Sequence, residues 1–333
     1  MTDEGGQRVR CLVVGQLPAP DLELVRRAIP ADRAELVAAE AGADLTRLGD
    51  FDVIWRLFPG SAAGDPPDRF PEALQSHPEV RWVHTASAGI DHLAVLFRDR
   101  PDTILTHSAG VTAIPIAEFV VGCLLQHCKR FPELAEQQRE RRFVQLPLRE
   151  LGDLRVVLFG LGAIGGAVAS RLAPFGCQLV GVRRDPSRPG PAEVGQVFGA
   201  PDIARACQGA DALILVAPLT METEGAVNNL VLSQMASGSA LVNVARGGLV
   251  DEPVLLAALA QGRPAAAYLD AFVEEPLPDG SPLWTAPGVH VSPHLSWSSS
   301  HLARRTSELF AEQLRRWVDG ESLLNRANPQ AGY

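Results

Sequence analysis

Residues 160–165, Gly160-Leu161-Gly162-Ala163-Ile164-Gly165, form a G-x-G-x-x-G run between the apolar stretch RVVLF and the helix-like stretch AIGGAVASRLAPF. Glycine-rich turns are common, and it is the strand before and the helix after that give this one a chemistry. Gly160 permits a tight turn, Gly162 lets the backbone approach a pyrophosphate, and Gly165 lets helix and strand pack closely. The helix N-terminus then offers free N–H groups and a positive dipole to phosphate. At the end of the next apolar stretch, QLVGV, an acidic residue about 20 positions past the glycines would hold the ribose 2′-hydroxyl of NAD. Arg183 and Arg184 stand there instead, in GVRRDPSR. Two guanidiniums suit a 2′-phosphate, which they grip with charge-assisted bonds. NADP(H) is therefore expected over NAD(H), with Asp185 leaving NAD(H) open as the alternative.

Three further groups fall at the ends of apolar runs. Arg246 closes one in VNVARGGLVDE, Asp270 closes another in LDAFVEEPLP with Glu275 just beyond, and His294 closes the last in VHVSPHLSW. Together they supply a cation, carboxylates and a titratable acid along one sheet edge. Each has a rival role. Arg246 between small residues could simply cap its strand, Glu275 has Glu274 beside it, and His84, His92 and His107 also lie near strand ends. His290 and His294 could be imagined as a metal pair, but no third ligand is apparent, so no metal is expected.

The elements that must carry these groups alternate short apolar runs with longer amphipathic ones, the signature of an α/β chain with parallel sheets. The strands are expected at 8–15, 52–58, 80–86 and 103–108, with 34–40 a further candidate. A second set is expected at 154–160, 178–182, 210–217, 239–245, 265–272 and 288–294. This second set is almost continuously apolar, as in strands covered on both faces. The run at 61–71 reads as a surface loop. One long helix is expected from Thr112 to Phe131, then a charged arm, PELAEQQRERRF, either solvated or facing another subunit. The closing segment SSHLARRTSELFAEQLRRWVDG reads as an amphipathic helix.

Over nearly the whole chain the sequence resembles the D-isomer-specific 2-hydroxyacid dehydrogenase family, which includes glyoxylate/hydroxypyruvate reductases. The motifs are SAGIDHL (87–93), the AE at 117–118, GLGAIG, APLTMETEG (217–225), VNVARGGLVDE, LDAFVEEPLP and SPH. The resemblance implies two doubly wound parallel-sheet α/β domains, a Rossmann cofactor domain at 111–296 and a smaller flavodoxin-like substrate domain at 1–110 plus 297–333. It implies an active site in the cleft between them, and a homodimer joined through the charged arm.

It also implies roles. Arg246 would bind the substrate carboxylate and polarise the reacting carbonyl, and His294 would be the general acid. Glu275 would orient the imidazole and favour its charged form. Asp270 would help hold the nicotinamide carboxamide. Ala217 and Pro218 would line the cofactor path, with Thr112, Val244 and Ala245 also at the cofactor. Ala88 and Gly89 would bind the substrate carboxylate through their backbone. Where this sequence departs from the family, LSWSSS after the histidine puts Trp297 near the pocket. Trp55 and Arg56 sit at a strand end that often touches the substrate's distal end, although Arg56 could equally be a surface residue. The expected reaction is reduction of a small 2-oxo acid, glyoxylate or hydroxypyruvate, to the D-2-hydroxy acid. Reduction of a 2-imino acid, or a dinucleotide-sensing role without catalysis, are the alternatives.

Bulk properties bound the partners. With 333 residues, 46% hydrophobic and 21% charged, the chain is long enough for two cores. A net charge of −9 argues against nucleic acid or an anionic membrane as partner. The five scattered cysteines form no CxxC pair and read as buried thiols in a reducing compartment. The opening MTDEGGQRVR lacks the apolar core of a signal peptide, and runs such as FVVGCLL fall short of the roughly 20 residues a bilayer demands. A cytoplasmic protein is the expectation.

Overall fold

The computed structural model describes residues 8–39, 44–57, 68–90, 93–97 and 99–328. The chain divides into two compact units, Met1–Thr112 with Ser299–Tyr333, and Ala113–Ser298.

In the first unit, strands β1 (Val9–Val14), β2 (Ala34–Ala38), β3 (Val53–Arg56), β4 (Trp82–Thr85) and β5 (Ile104–His107) form a sheet in the order β2-β1-β3-β4-β5. Every neighbouring pair is parallel. This 2-1-3-4-5 order is that of flavodoxin-like sheets. Side chains alternate between the two faces of a strand, and here both faces are apolar. Leu12, Val14, Ile54 and Val83 pack with Phe70 and Phe97 on one side. Cys11, Val13, Val53, Trp55 and Trp82 pack with Phe310 and Leu314 on the other. Those last two come from the amphipathic helix Leu302–Val318, so the C-terminal segment completes this core. Of the run at 61–71, residues 61–67 lie outside the described residues. Its end is already helical, in Phe70–Ser76.

In the second unit, β6 (Arg155–Phe159), β7 (Gln178–Arg183), β8 (Gln196–Gly199), β9 (Ala212–Leu215), β10 (Ala240–Asn243), β11 (Ala266–Leu269) and β12 (Val289–Val291) form a parallel sheet in the order β12-β11-β10-β9-β6-β7-β8. Counted from β6, this is the Rossmann order 3-2-1-4-5-6 with a seventh strand at one edge. Apolar clusters cover both faces. Strand order reverses between β6 and β9, the point at which open α/β sheets bind ligands at the strands' carboxyl ends.

Two expectations are corrected. β8 is a strand absent from the expected set: it is four residues long and sits at the sheet edge beside β7 alone, so it needs no continuous apolar run. The long helix from Thr112 is two helices, Ala113–Cys128 and Phe131–Arg139, because Arg130 takes a left-handed conformation (φ 52°). Pro132 then sits in the first turn of the second helix, where its missing N–H costs little. Among the described residues no helix is long and apolar enough to cross a membrane.

Candidate active site

The glycine run leads from β6 into the helix Ala163–Leu172. Each glycine does separate work. Gly160 has φ 114°, and a Cβ there would lie 2.7 Å from the amide nitrogen of Ala217 on the loop after β9. A Cβ on Gly165 would run into the carbonyl of Gly160, so this glycine sets the helix flush against the strand end. A Cβ on Gly162 would meet nothing within 4 Å. Gly162 is the N-cap and no side chain caps the helix, so its open face and the first N–H groups form a cradle that a side chain would fill. These residues fit the phosphates of a dinucleotide. Ala163 is exposed and Ile164 half-buried on the same turn.

Register places the arginine pair next to this turn. The Gly160 N–H donates to the Val182 carbonyl at 2.9 Å, and Arg183 follows. Arg183 donates from Nη1 to the Pro189 carbonyl (3.1 Å), while Arg184 is exposed and paired through Nε with Glu222 (3.2 Å). Asp185 is occupied within its own turn. Its Oδ1 accepts from the hydroxyl (2.5 Å) and the N–H (3.1 Å) of Ser187, bonds that hold its carboxyl below its ordinary range. On the other side of β6, Ala217 and Pro218 begin a turn tied by the Thr223 hydroxyl, which donates to the Pro218 carbonyl (2.7 Å). Val244 and Ala245 are buried at the end of β10, so what they offer a ligand is backbone; Thr112 is buried in the first unit.

The acid–base groups sit on the loops after β10, β11 and β12. Asn243, the last residue of β10, donates from Nδ2 to the Arg246 carbonyl (2.9 Å) and accepts the Ala245 N–H (3.1 Å), folding the loop that presents Arg246. A Cβ on Gly247 would collide with the backbone of Phe272, which brings the Arg246 loop against residues 272–275. Arg246 is half-buried. Glu275 accepts from His294 Nδ1 on Oε2 (2.8 Å) and from the Phe272 N–H on Oε1 (3.0 Å). Burial pushes its carboxyl up, but the His294 bond, the Phe272 N–H and the nearby charges of His294 and Arg246 outweigh that and hold it below the usual range. An ionised carboxylate only accepts, so Nδ1 is the protonated ring nitrogen facing Glu275, and Nε2 is left for a ligand.

His294 is held by more than Glu275. Its backbone is left-handed (φ 49°), a conformation costing about 1–2 kcal/mol in a residue other than glycine. Asp270 keeps it there: Oδ1 accepts from the Ser292 hydroxyl (2.6 Å) and the Leu295 N–H (3.0 Å), and Oδ2 accepts from the Ser296 N–H (2.9 Å). The Trp297 indole N–H adds a bond to the His294 carbonyl (2.7 Å). Asp270 is 1% exposed and both its oxygens accept bonds from the histidine loop, which its carboxylate braces. Trp297 braces the same turn and packs against the core.

In the first unit, Ala88 and Gly89 are half-buried just after β4. The expected substrate contact of Trp55 is not available: its side chain is fully buried and stacked on Phe310 with ring centroids 4.0 Å apart. Arg56 is also buried, on the opposite face, and its Nη2 pairs with Asp68 at 2.7 Å. Of the other histidines, His84 is fully buried and its pKa is pushed down to about 3 by that burial, and its ring nitrogens are bonded to Thr106 and Ser108. His290 stacks on Tyr268 (4.5 Å); His92 lies outside the described residues. Asn243 and Ser292, which support these loops through their hydrogen bonds, are residues that motif reading misses, although a polar residue closing a buried strand, as in VNVAR, is a signal that could have found Asn243.

The chain is similar to known proteins along most of its length. The D-isomer specific 2-hydroxyacid dehydrogenase NAD binding domain matches residues 121–296. Glyoxylate/hydroxypyruvate reductase A of Klebsiella pneumoniae subsp. pneumoniae is 32% identical over 276 residues, 78% of this chain and 87% of the relative. The human glyoxylate reductase/hydroxypyruvate reductase is 34% identical over 239 residues, 70% and 72% of the two chains. Among solved structures, the D-isomer specific 2-hydroxyacid dehydrogenase from Xanthobacter autotrophicus, in complex with NADPH and MES, is similar with a TM-score of 0.82. It is 30% identical and the match covers 98% of this chain and 100% of that one.

Proposed function

Because the chain belongs to the D-isomer specific 2-hydroxyacid dehydrogenase family of nicotinamide-dependent oxidoreductases, we propose that it reduces a small 2-oxo acid, glyoxylate or hydroxypyruvate, to the D-2-hydroxy acid with NADPH. The observation that carries this reading is the 2.8 Å bond between Glu275 and His294 Nδ1, which leaves Nε2 to handle a proton. Bound NADPH supplies a hydride to the α-carbon of the substrate. Arg246 binds the substrate carboxylate and polarises the carbonyl, a task for a planar cation. His294 donates its Nε2 proton to the carbonyl oxygen as the hydroxyl forms, and takes it back in the oxidative direction. Glu275 stays ionised throughout and stabilises the charged imidazole. The backbone N–H groups at Ala88 and Gly89 bind the substrate carboxylate. Gly160, Gly162 and the start of the Ala163 helix take the pyrophosphate, and Arg183 and Arg184 take the 2′-phosphate.

The same reading extends to assembly. Phe143, at the end of the charged arm, is fully exposed, and Phe131, Val144 and Leu148, in the sequence on either side of it, are exposed too, apolar groups that a second copy of the chain would cover. Sedimentation of wild type against Phe143→Asp tests the homodimer.

The function is tested by following absorbance at the nicotinamide band with NADPH, and separately NADH, against a panel of 2-oxo acids. Turnover of glyoxylate or hydroxypyruvate, faster with NADPH, is the expected result. NADPH binding without turnover of any 2-oxo acid would overturn it in favour of a sensing role or an imino acid substrate.

A further inference from the structure

Arg56 ends β3, where it pairs in register with Thr85 at the end of β4. It is 3% exposed, and a buried cation is costly unless it is paired and hydrogen-bonded. Nη2 and Nε both reach Asp68 Oδ2, at 2.7 and 3.3 Å, and the guanidinium lies over the Phe70 ring at 5.5 Å. Asp68 is itself fixed, since its Oδ1 accepts the Phe70 N–H (3.0 Å). The remaining contact is the informative one. Nη1 donates to Thr85 Oγ1 (3.3 Å), which also accepts the Ser87 N–H (3.4 Å) and lies 2.9 Å from Ser87 Oγ. With both acceptor positions of the Thr85 hydroxyl used, its own proton goes to Ser87 Oγ. Donation therefore runs outward from Arg56, to Asp68 on one side and through Thr85 to Ser87 on the other, and this second arm ends at the residue before Ala88. From the β5 side, the Ser108 N–H donates to the Ser87 carbonyl and the Ser108 hydroxyl to the Thr85 carbonyl, both at 3.0 Å. The segment 85–87 is thus clamped from two strands.

We propose that Arg56 is a positioning residue for this reaction. It sets the Ala88–Gly89 backbone through Thr85 and Ser87, with Asp68 as its counter-ion, and never touches the substrate. The inference rests on the reading that this backbone holds the substrate carboxylate. Only the arginine end of this pair is buried, Asp68 being exposed, and what the buried guanidinium holds in place is the Thr85–Ser87 hydroxyl chain. The carboxylate is common to all 2-oxo acids, so the effect of breaking the chain does not depend on the substrate's tail.

The test is steady-state kinetics of Thr85→Val, which keeps the side-chain volume, together with Arg56→Met and the double variant. The substrates are glyoxylate, pyruvate and a 2-oxo dicarboxylate with NADPH. Each single variant should raise KM about tenfold for all three substrates, as loss of one charge-assisted hydrogen bond does. The kcat and the Kd for NADPH should stay within about twofold, and the double variant should be no worse than the singles, since all act on one chain. Unchanged KM in Thr85→Val would overturn the proposal even if Arg56→Met fails to fold. A loss confined to the dicarboxylate, with Thr85→Val silent, would overturn it in favour of direct contact between Arg56 and the tail. Wild-type enzyme inert toward every 2-oxo acid would instead sink the functional reading on which the proposal stands.

Discussion

Glu275→Gln is close to isosteric and should nonetheless lower kcat/KM by about 10- to 100-fold. The reason lies in the two bonds the carboxylate accepts. Oε2 faces the His294 ring N–H and Oε1 faces the Phe272 N–H, so both partners are donors. A glutamine has one acceptor oxygen and one NH2, so whichever way it turns, one donor meets another. If the amide oxygen stays on Phe272, the NH2 faces His294 Nδ1, and the ring can satisfy it only by giving up the proton there. If it stays on His294, the imidazole keeps its bond but loses the negative charge, and the Phe272 N–H is left without an acceptor. Hydrogen bonds to a charged group contribute about 1.5–3 kcal/mol, and each 1.36 kcal/mol is tenfold in rate.

The pH dependence makes the argument sharper. In the wild type Glu275 titrates below the ordinary carboxylate range. A group lowered in this way contributes stability that is fully present above its unfolded pKa and is lost as pH falls through the folded value. The carboxylate therefore stays charged, and His294 stays oriented, through the whole range near neutrality. In the variant this titrating carboxylate is absent, so the loss of stability as pH falls through its folded value should be absent too. The assay is kcat/KM for glyoxylate with saturating NADPH from pH 5 to 9, alongside a urea midpoint to exclude unfolding. A variant within about twofold of wild type across that range would refute the role given to this pair.

Four further outcomes can be checked directly. His294→Ala should lower kcat by roughly 10²–10⁴, the range for loss of a general acid, with the Kd for NADPH little changed in fluorescence titration. Gly162→Val should leave the urea midpoint nearly intact, because a Cβ there meets nothing, yet abolish measurable cofactor binding. Gly165→Ala should instead lower the midpoint itself, because its Cβ meets the Gly160 carbonyl. Asp270→Asn should cost about 1–3 kcal/mol of stability by urea unfolding, since an amide NH2 must face one of three donors in a buried site.

The sheets were legible because parallel strands buried on both faces must be apolar throughout, and β6, β7, β9, β10 and β11 read that way. β8 was not, because an edge strand has one neighbour and can carry Gln196 at its start and Gly199 at its end. The break after Cys128 hides for another reason. A left-handed Arg130 carries no sequence mark of the kind glycine would leave, and the helical pattern continues through it into Phe131.

For the site, the residue types were legible and some of their uses were not. Glycines announce themselves because no other residue serves at Gly160 or Gly165, and a histidine closing a strand after Pro293 is conspicuous. Side-chain direction is decided elsewhere. Trp55 and Arg56 are adjacent at one strand end, and alternation sends one onto Phe310 and the other onto Asp68. Which of the two could meet a ligand depends on the last helix, some 250 residues later in the chain, and on Asp68, neither of which the local pattern contains. Asp270 makes the same point in energetic terms. A carboxylate at a strand end carries no local sign of the loop it holds, and at Asp270 three donors around the left-handed turn at His294 are satisfied together. The cost of placing this histidine is thus met one strand away, at the end of β11.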